Sequence, residues 1–278
     1  VEVEMTRHVG FCFGVRRAIR IAGETKRCGS ALPVYTYGPL VHNASVIERL
    51  GSEGIESVED LTSIPRGCLV IRSHGVPPET RLEALRLGFT IVDATCPLVR
   101  KIHDVVGTLK AEGYRVVIVG RSDHPEVVGI AGHAGEDCVV IESLKEVSGL
   151  SFRRKTGVVV QTTASLEQFR EIVASLLSCS SECRVYNTIC FETLRRQQEA
   201  GELAARVDAM VVAGGCSSSN TARLVDICRE AGAQAIRVEK PEDLQRRWFS
   251  GMKRIGVTAG TSTPDEVITA VRDILVKF

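Results

Sequence analysis

The pattern strand, cysteine, helix occurs three times in this chain. An apolar run leads through Val92-Asp93-Ala94-Thr95 to Cys96, and Pro97-Leu98-Val99-Arg100 follows. Gly10-Phe11-Cys12 precedes Phe13-Gly14-Val15-Arg16-Arg17, and Thr188-Ile189-Cys190 precedes Phe191-Glu192-Thr193-Leu194-Arg195. Cys12, Cys96 and Cys190 are 84 and 94 residues apart. Pro97 suits the first helical position, where its missing N–H costs nothing. Thr95 is the expected cap. A thiol at a helix start meets unpaired N–H groups and partial positive charge, both of which favour the thiolate. One such cysteine would be an ordinary small core residue. Three at near-equal spacing imply a threefold repeat that brings three thiolates to one point.

The stretches between the cysteines repeat one order of elements. In the first, strands are expected over 1–12, 34–37, 54–58, 68–72 and 89–92, with helices over 15–25, 44–50 and 78–87. In the second, strands are expected over 115–119, 138–141, 157–160 and 184–186, with a helix over 166–177. In the third, strands over 209–212, 235–238 and 254–258 precede a last helix over 265–276, and no closing strand follows. The N-terminal strand is the spare piece that would complete it. The expected organisation is three α/β domains, 13–96, 97–190 and 191–278, the last completed by 1–12. Alternating strands and helices with short loops mean parallel sheets flanked by helices. Ligands of such sheets bind beyond the carboxyl ends of strands. A pseudo-threefold arrangement would line one central cavity with all three cysteines.

Composition narrows the function. Lys plus Arg is 35 and Asp plus Glu is 34, so no global field draws the chain to nucleic acid or to a membrane surface. No apolar run approaches the ~20 residues that span a bilayer. The charged start, Val1-Glu2-Val3-Glu4, does not read as a signal peptide. Ten cysteines at irregular spacing argue for a reducing compartment with thiolate or metal chemistry, not a disulfide scaffold. Neither G-x-x-x-x-G-K-[ST] nor G-x-G-x-x-G after a strand is present, so Gly214-Gly215 is not a nucleotide loop.

The loops at expected strand ends carry His42, His74, His124, Glu126, Thr162, Thr163, Ser218, Ser219, Asn220 and Ser262. Neutral donors at helix starts bind phosphate without many full charges. Glu126 is the one carboxylate among them, an acid–base candidate or simply a charge at a helix start. His8, His103 and His133 lack counterparts in the other repeats and read as structural. Cys28, Cys68, Cys138, Cys179, Cys183 and Cys228 read as ordinary thiols. Three thiolates suit zinc poorly without a histidine. On a four-iron cluster they would leave one iron open to substrate. An enzyme, a cluster-bearing sensor and a zinc-bound phosphosugar-binding protein all stay open on these residues alone.

Taken together, the motifs resemble the 4-hydroxy-3-methylbut-2-enyl diphosphate reductases of the non-mevalonate isoprenoid pathway. They include Gly10-Phe11-Cys12, Val41-His42-Asn43, Ser73-His74-Gly75-Val76, Asp93-Ala94-Thr95-Cys96-Pro97, His124-Pro125-Glu126-Val127, Gln161-Thr162-Thr163, Thr188-Ile189-Cys190, Ser218-Ser219-Asn220-Thr221 and Thr258-Ala259-Gly260-Thr261-Ser262-Thr263-Pro264-Asp265. The resemblance implies three α/β domains around a [4Fe–4S] cluster held by Cys12, Cys96 and Cys190. It implies diphosphate binding by His42, His74, His124, Ser218, Ser219, Asn220 and Ser262. Glu126 would be the proton source, with Thr162 close to the substrate hydroxyl. The implied reaction is two-electron loss of the allylic hydroxyl at the open iron, giving isopentenyl or dimethylallyl diphosphate. Electrons would come from an external carrier such as ferredoxin or flavodoxin, in a bacterial cytoplasm or a plastid. The chain departs from the family loop Gly-Gly-Lys-Asn-Ser-Ser-Asn, because Cys216 and Ser217 stand for its Lys and Asn. Glu192 is a second departure, close after Cys190.

Overall fold

Strands and α-helices alternate over most of the described residues, with β-strands following each other once in each repeat, as the pattern of short Val- and Ile-rich runs leads one to expect. The computed structural model describes residues 1–28, 32–148, 150 and 155–278. In chain order the elements are β1 (Glu2–Met5), α1 (Phe13–Arg27), β2 (Val34–Tyr37), α2 (Ala44–Ser52), β3 (Ile55–Val58), β4 (Cys68–Ile71), α3 (Pro78–Arg86) and β5 (Thr90–Asp93). Then come α4 (Pro97–Ala111), β6 (Arg115–Val119), α5 (Pro125–Ala134), β7 (Val139–Ile141), β8 (Lys155–Val160), α6 (Leu166–Leu177) and β9 (Glu182–Val185). Last are α7 (Phe191–Ala204), β10 (Ala209–Ala213), α8 (Ser219–Glu230), β11 (Gln234–Val238), β12 (Arg254–Ala259) and α9 (Asp265–Val276). Among the described residues they form three four-stranded, all-parallel sheets.

The three sheets share one strand order. It reads β3-β2-β4-β5 in the first, β7-β6-β8-β9 in the second and β11-β10-β12-β1 in the third. The N-terminal strand takes the fourth place in the third sheet, with Glu2 opposite Arg254 and Met5 opposite Val257. The chain divides into two compact units. One comprises Val1–Arg16, Val41–Arg49 and Phe191–Phe278; the other comprises Arg17–Leu40 and Leu50–Cys190.

In the first of these units the side-chain alternation of β10 decides which helix packs where. Ala209, Val211 and Ala213 join Ile268, Val271 and Leu275 of α9 in one core cluster. Met210 and Val212 point the other way, onto Leu203 of α7 and Leu224 and Cys228 of α8. Both faces are apolar, as parallel sheets covered on both sides demand. In the second unit Val116 and Ile118 of β6 pack on Ile102, Val106 and Leu109 of α4 and on Val127 and Ile130 of α5. Proline stands at the start of α3, α4 and α5, where its fixed φ fits and no N–H is missed. Ser165 and Ser218 cap α6 and α8 by accepting from Gln168 N–H and Thr221 N–H.

Two local expectations need correction. The strands do not run into the cysteines: β1 stops at Met5, β5 at Asp93 and β9 at Val185. Nor is Thr95 the cap of α4. Cys96 itself occupies that position, without a capping side-chain bond. The linking residues turn by other means. The Asp93 carboxylate accepts from Thr95 N–H at 2.9 Å, and Asn187 Oδ1 accepts from Ile189 N–H at 3.2 Å. Each is an Asx turn three residues ahead of a cysteine, using a side chain that bonds its own backbone two residues on. Ahead of Cys12 the turn falls on Gly10, whose φ of 78° favours glycine.

Candidate functional site

The three cysteines share one backbone contact. Cys96 N–H donates to Ser73 O at 2.9 Å, Cys190 N–H to Thr162 O at 2.9 Å and Cys12 N–H to Thr261 O at 3.0 Å. Each acceptor lies two residues past the end of the strand beside the one that leads to the cysteine: β4, β8 and β12 respectively. The repeat seen in the sequence is therefore a repeat of local geometry. All three thiols are half-buried.

In the unit of Arg17–Leu40 and Leu50–Cys190, five loops past strand ends carry the expected residues. Glu126 sits in the first turn of α5 and is 2% exposed. Its two oxygens accept from one residue: Oε1 from Thr162 N–H and Oε2 from the Thr162 hydroxyl, both at 2.7 Å. Burial pushes the Glu126 carboxyl above its ordinary range, and the two Thr162 bonds oppose that. His124 is the N-cap of α5, with Nδ1 accepting from Glu126 N–H at 3.2 Å. That bond leaves Nε2 of His124 as the protonated, donating nitrogen of a neutral ring. The His74 ring meets the His124 ring edge to face, with centroids 5.6 Å apart. Ser73, next to His74, donates its hydroxyl to Leu40 O at 3.1 Å.

Cys96 shows what its surroundings do to a thiol. Burial pushes it up, the Leu98 and Val99 N–H groups pull it down, and negative charge at Cys190 and Glu126 pushes it up again. The helix start alone does not make a thiolate here, because burial outweighs it. Arg17 reaches the same segment, donating to Thr95 O at 3.0 Å. Burial also works against the Asp93 carboxylate, yet the Thr95 bonds and the Arg100 and Arg81 guanidiniums hold it below the usual range. The ion pairs to Arg100 and Arg81 measure 3.0 and 3.2 Å.

In the unit of Val1–Arg16, Val41–Arg49 and Phe191–Phe278, the remaining expected residues gather around the start of α8 and the segment ahead of α2. Ser218 caps α8. Asn220, in the first turn, is 2% exposed, and neither its amide nitrogen nor its oxygen has a partner; the Ser219 hydroxyl also lacks one. Buried polar atoms are costly unless satisfied, so three of them at a helix start mark a place for a polar ligand. The Ser262 hydroxyl donates to His42 O at 3.1 Å. Gly215 makes room for the same carbonyl, since a Cβ there would lie 2.5 Å from His42 O. Glu239 joins the two segments by accepting from Ala44 N–H at 3.3 Å and Cys216 N–H at 3.2 Å. Cys216 is exposed, and Glu239 pushes its thiol up. Arg237 donates to Cys216 O at 3.2 Å, so a cation does reach this loop despite the missing lysine.

Asn43 was not among the expected site residues. It is 2% exposed, its Oδ1 accepts from Val46 N–H at 3.3 Å as a cap of α2, and its Nδ2 has no partner. An asparagine between a loop histidine and a helix start is the signal that could have found it. Among the described residues no helix is long and apolar enough to cross a membrane.

The comparisons with known proteins agree. The family model described as LytB protein matches residues 3–276. A 4-hydroxy-3-methylbut-2-enyl diphosphate reductase from Citrifermentans bemidjiense is 44% identical over 274 residues, covering 98% of this chain and 96% of that protein. The reductase of the same description from Aquifex aeolicus is 39% identical over 275 residues, covering 98% and 95%. A solved structure of the E-1-hydroxy-2-methyl-but-2-enyl-4-diphosphate reductase from Plasmodium falciparum matches with a TM-score of 0.95 at 30% identity, covering 99% of this chain and 88% of that one. A solved (E)-4-hydroxy-3-methyl-but-2-enyl diphosphate reductase, the terminal enzyme of the non-mevalonate pathway, matches with a TM-score of 0.72 at 39% identity, covering all of both chains.

Proposed function

The chain belongs to the LytB protein family, and on that premise we propose that it reduces 4-hydroxy-3-methylbut-2-enyl diphosphate. The allylic hydroxyl leaves as water, and isopentenyl or dimethylallyl diphosphate remains. Two electrons and two protons enter for each water released. The observation that carries the reading is Glu126, a buried carboxyl bonded at both oxygens to Thr162 and close enough to Cys96 for its charge to act on the thiol.

Cys12, Cys96 and Cys190 are the proposed ligands of a [4Fe–4S] cluster. The donor set fits, because soft thiols select iron–sulfur clusters. Their shared backbone contact supports equivalent roles. The raised Cys96 thiol is no obstacle, since a coordinating metal deprotonates a thiol outright. When bound, such a cluster supplies one-electron transfer and Lewis acidity at its open iron. The electrons themselves must come from outside the chain, and a small carrier such as ferredoxin or flavodoxin is the proposed source.

His42, His74, His124, Ser218, Ser219, Asn220 and Ser262 are the proposed diphosphate contacts. The unpartnered amide of Asn220 and hydroxyl of Ser219 support this, as does the partial positive charge at the start of α8. Fixing the diphosphate orients the allylic end of the substrate and holds it in one conformation. Glu126 Oε1 accepts the Thr162 N–H, so in the protonated carboxyl the proton belongs on Oε2, and the Thr162 hydroxyl, which donates to Oε2 when the carboxyl is ionised, turns to accept it. That hydroxyl can hand a proton to the departing oxygen and take one from Glu126. Burial favours the protonated carboxyl, the Thr162 bonds oppose it, and a nearby diphosphate charge would act in the same direction as burial.

Anaerobic purification followed by turnover with a one-electron reductant tests the reading. It requires iron in the protein and both C5 diphosphates among the products. A colourless, zinc-loaded protein without turnover would refute it.

A further inference from the structure

We propose that His103 and His133, which lie outside the proposed site, are positioning residues for His74. Their stacked rings seat the loop from Ser73 to Pro77 on α4 and α5, and that seat sets where the His74 ring stands. The inference rests on the reading of His74 as a diphosphate contact.

The contacts are dense. His103 on α4 and His133 on α5 stack with centroids 4.0 Å apart and planes 15° apart. Gly75 lies against the His103 ring with φ of 74°; a Cβ there would stand 2.6 Å from His103 Cε1. The Val76 backbone faces His133 closely enough to pull that imidazole up against its burial. Gly129 of α5 lies against the loop, where a Cβ would make ordinary contact with His74 O at 3.5 Å, Gly75 C at 3.6 Å and His103 Nε2 at 3.6 Å. Gly132, one turn on, is pressed by Pro77, which a Cβ would meet at 2.6 Å. The loop is thus gripped on both sides of His74, whose own ring is set against His124.

His103 is 8% exposed, and its Nε2 is buried without a partner. An unsatisfied ring nitrogen costs stability that an apolar side chain of like size would not. Burial and the His133 ring together push His103 down to about 4, so the stack is neutral at ordinary pH. Arg100 acts in the same direction and Asp93 opposes it. Glu79 and Asp104 face His133 and pull the other way from its burial. A neutral stack makes a flat, firm seat against which a glycine backbone can lie.

The test is a double-mutant cycle on the holoenzyme, with inorganic diphosphate as the probe. His103→Ala should weaken diphosphate binding and raise KM together, by about tenfold, which corresponds to ~1.4 kcal/mol. Iron content and kcat should stay within about twofold. His103→Phe, which restores a ring, should recover most of the loss. In a His74→Phe background, His103→Ala should cost nothing further, because it acts only through His74. Additive losses in the cycle, or a drop in melting temperature with diphosphate affinity unchanged, overturn the proposal. If His103→Ala fails to fold, Gly75→Ala displaces the loop from the other side and must show the same loss. If His74→Phe itself binds diphosphate normally, the substrate-site reading fails. A crystal structure of the His103→Ala protein then decides the positioning role: a displaced His74 upholds it and an unmoved one ends it.

Discussion

The Glu126 carboxylate takes both the backbone N–H and the hydroxyl of Thr162, each at 2.7 Å, across 36 residues of chain. In the proposed reaction this pairing directs the proton of the carboxyl toward the Thr162 hydroxyl. One oxygen is committed to an N–H, so on protonation the proton goes to the other, and the Thr162 hydroxyl turns from donor to acceptor.

Glu126→Gln preserves that geometry, since the amide oxygen can accept the N–H and the amide nitrogen can donate to the hydroxyl. The variant should keep its iron and bind substrate. Turnover should fall by the ~10²–10⁴ of a lost general acid. Near-normal turnover would reduce Glu126 to a buried structural carboxyl.

Cysteine to serine changes separate ligands from bystanders. Cys96→Ser should lose most of the iron and all of the activity, with Cys12→Ser and Cys190→Ser behaving alike. Cys28, which is exposed, and Cys179, whose thiol donates to Leu176 O at 3.4 Å, should tolerate the same change with iron retained. Iron analysis on all five variants decides it, and full iron in Cys96→Ser protein would remove that residue from the ligand set.

Asn220→Ala deletes two buried polar atoms that have no partner in the chain. If they serve a ligand, the variant should fold with equal or greater stability. It should bind inorganic diphosphate more weakly, by ~1.5–3 kcal/mol for a hydrogen bond to a charged group. Calorimetric titration beside a thermal melt checks both halves. Unchanged affinity would show that the start of α8 does not meet the diphosphate.

The His103 ring titrates near 4 in the folded protein and near 6.5 when unfolded. Between those values the unfolded chain binds more protons, so stability rises with pH there. Acidification from pH 6.5 to 4 should cost about 3 kcal/mol from this residue. Urea unfolding across that window should show a shallower pH slope for His103→Phe than for the unaltered protein. An identical slope would mean that the ring is already protonated in the folded state.

Leu275 of α9 is fully buried beside Val211 and Val257. Leu275→Ala should cost ~2–5 kcal/mol by opening a cavity in the sheet–helix core. Because the cluster packs α9 on β10 and β12, the loss should appear as a lower midpoint in denaturant with the iron content of the folded fraction unchanged.

The order of elements was readable from the chain, because its signals are local. Val116-Val117-Ile118-Val119 can only be a covered strand. Pro78, Pro97 and Pro125 start helices wherever they fall, and Ser165 and Ser218 cap them within one turn. The recurrence of Cys12, Cys96 and Cys190 was equally plain, and so was the set of loop residues, because motif and spacing survive in one dimension. Tertiary structure decided the rest. The turns into Cys96 and Cys190 belong to Asp93 and Asn187, since a carboxylate or amide oxygen two residues from a free N–H competes with strand pairing at the sheet edge. Burial, not the helix start, dominates the Cys96 thiol, and burial is set by neighbours far along the chain. His103 and His133 looked unremarkable because their meaning is a contact between two helices and a loop. A stack of rings 30 positions apart leaves no period or motif in sequence. It exists only once α4 and α5 pack on β6, stacking the two rings and bringing His103 against Gly75.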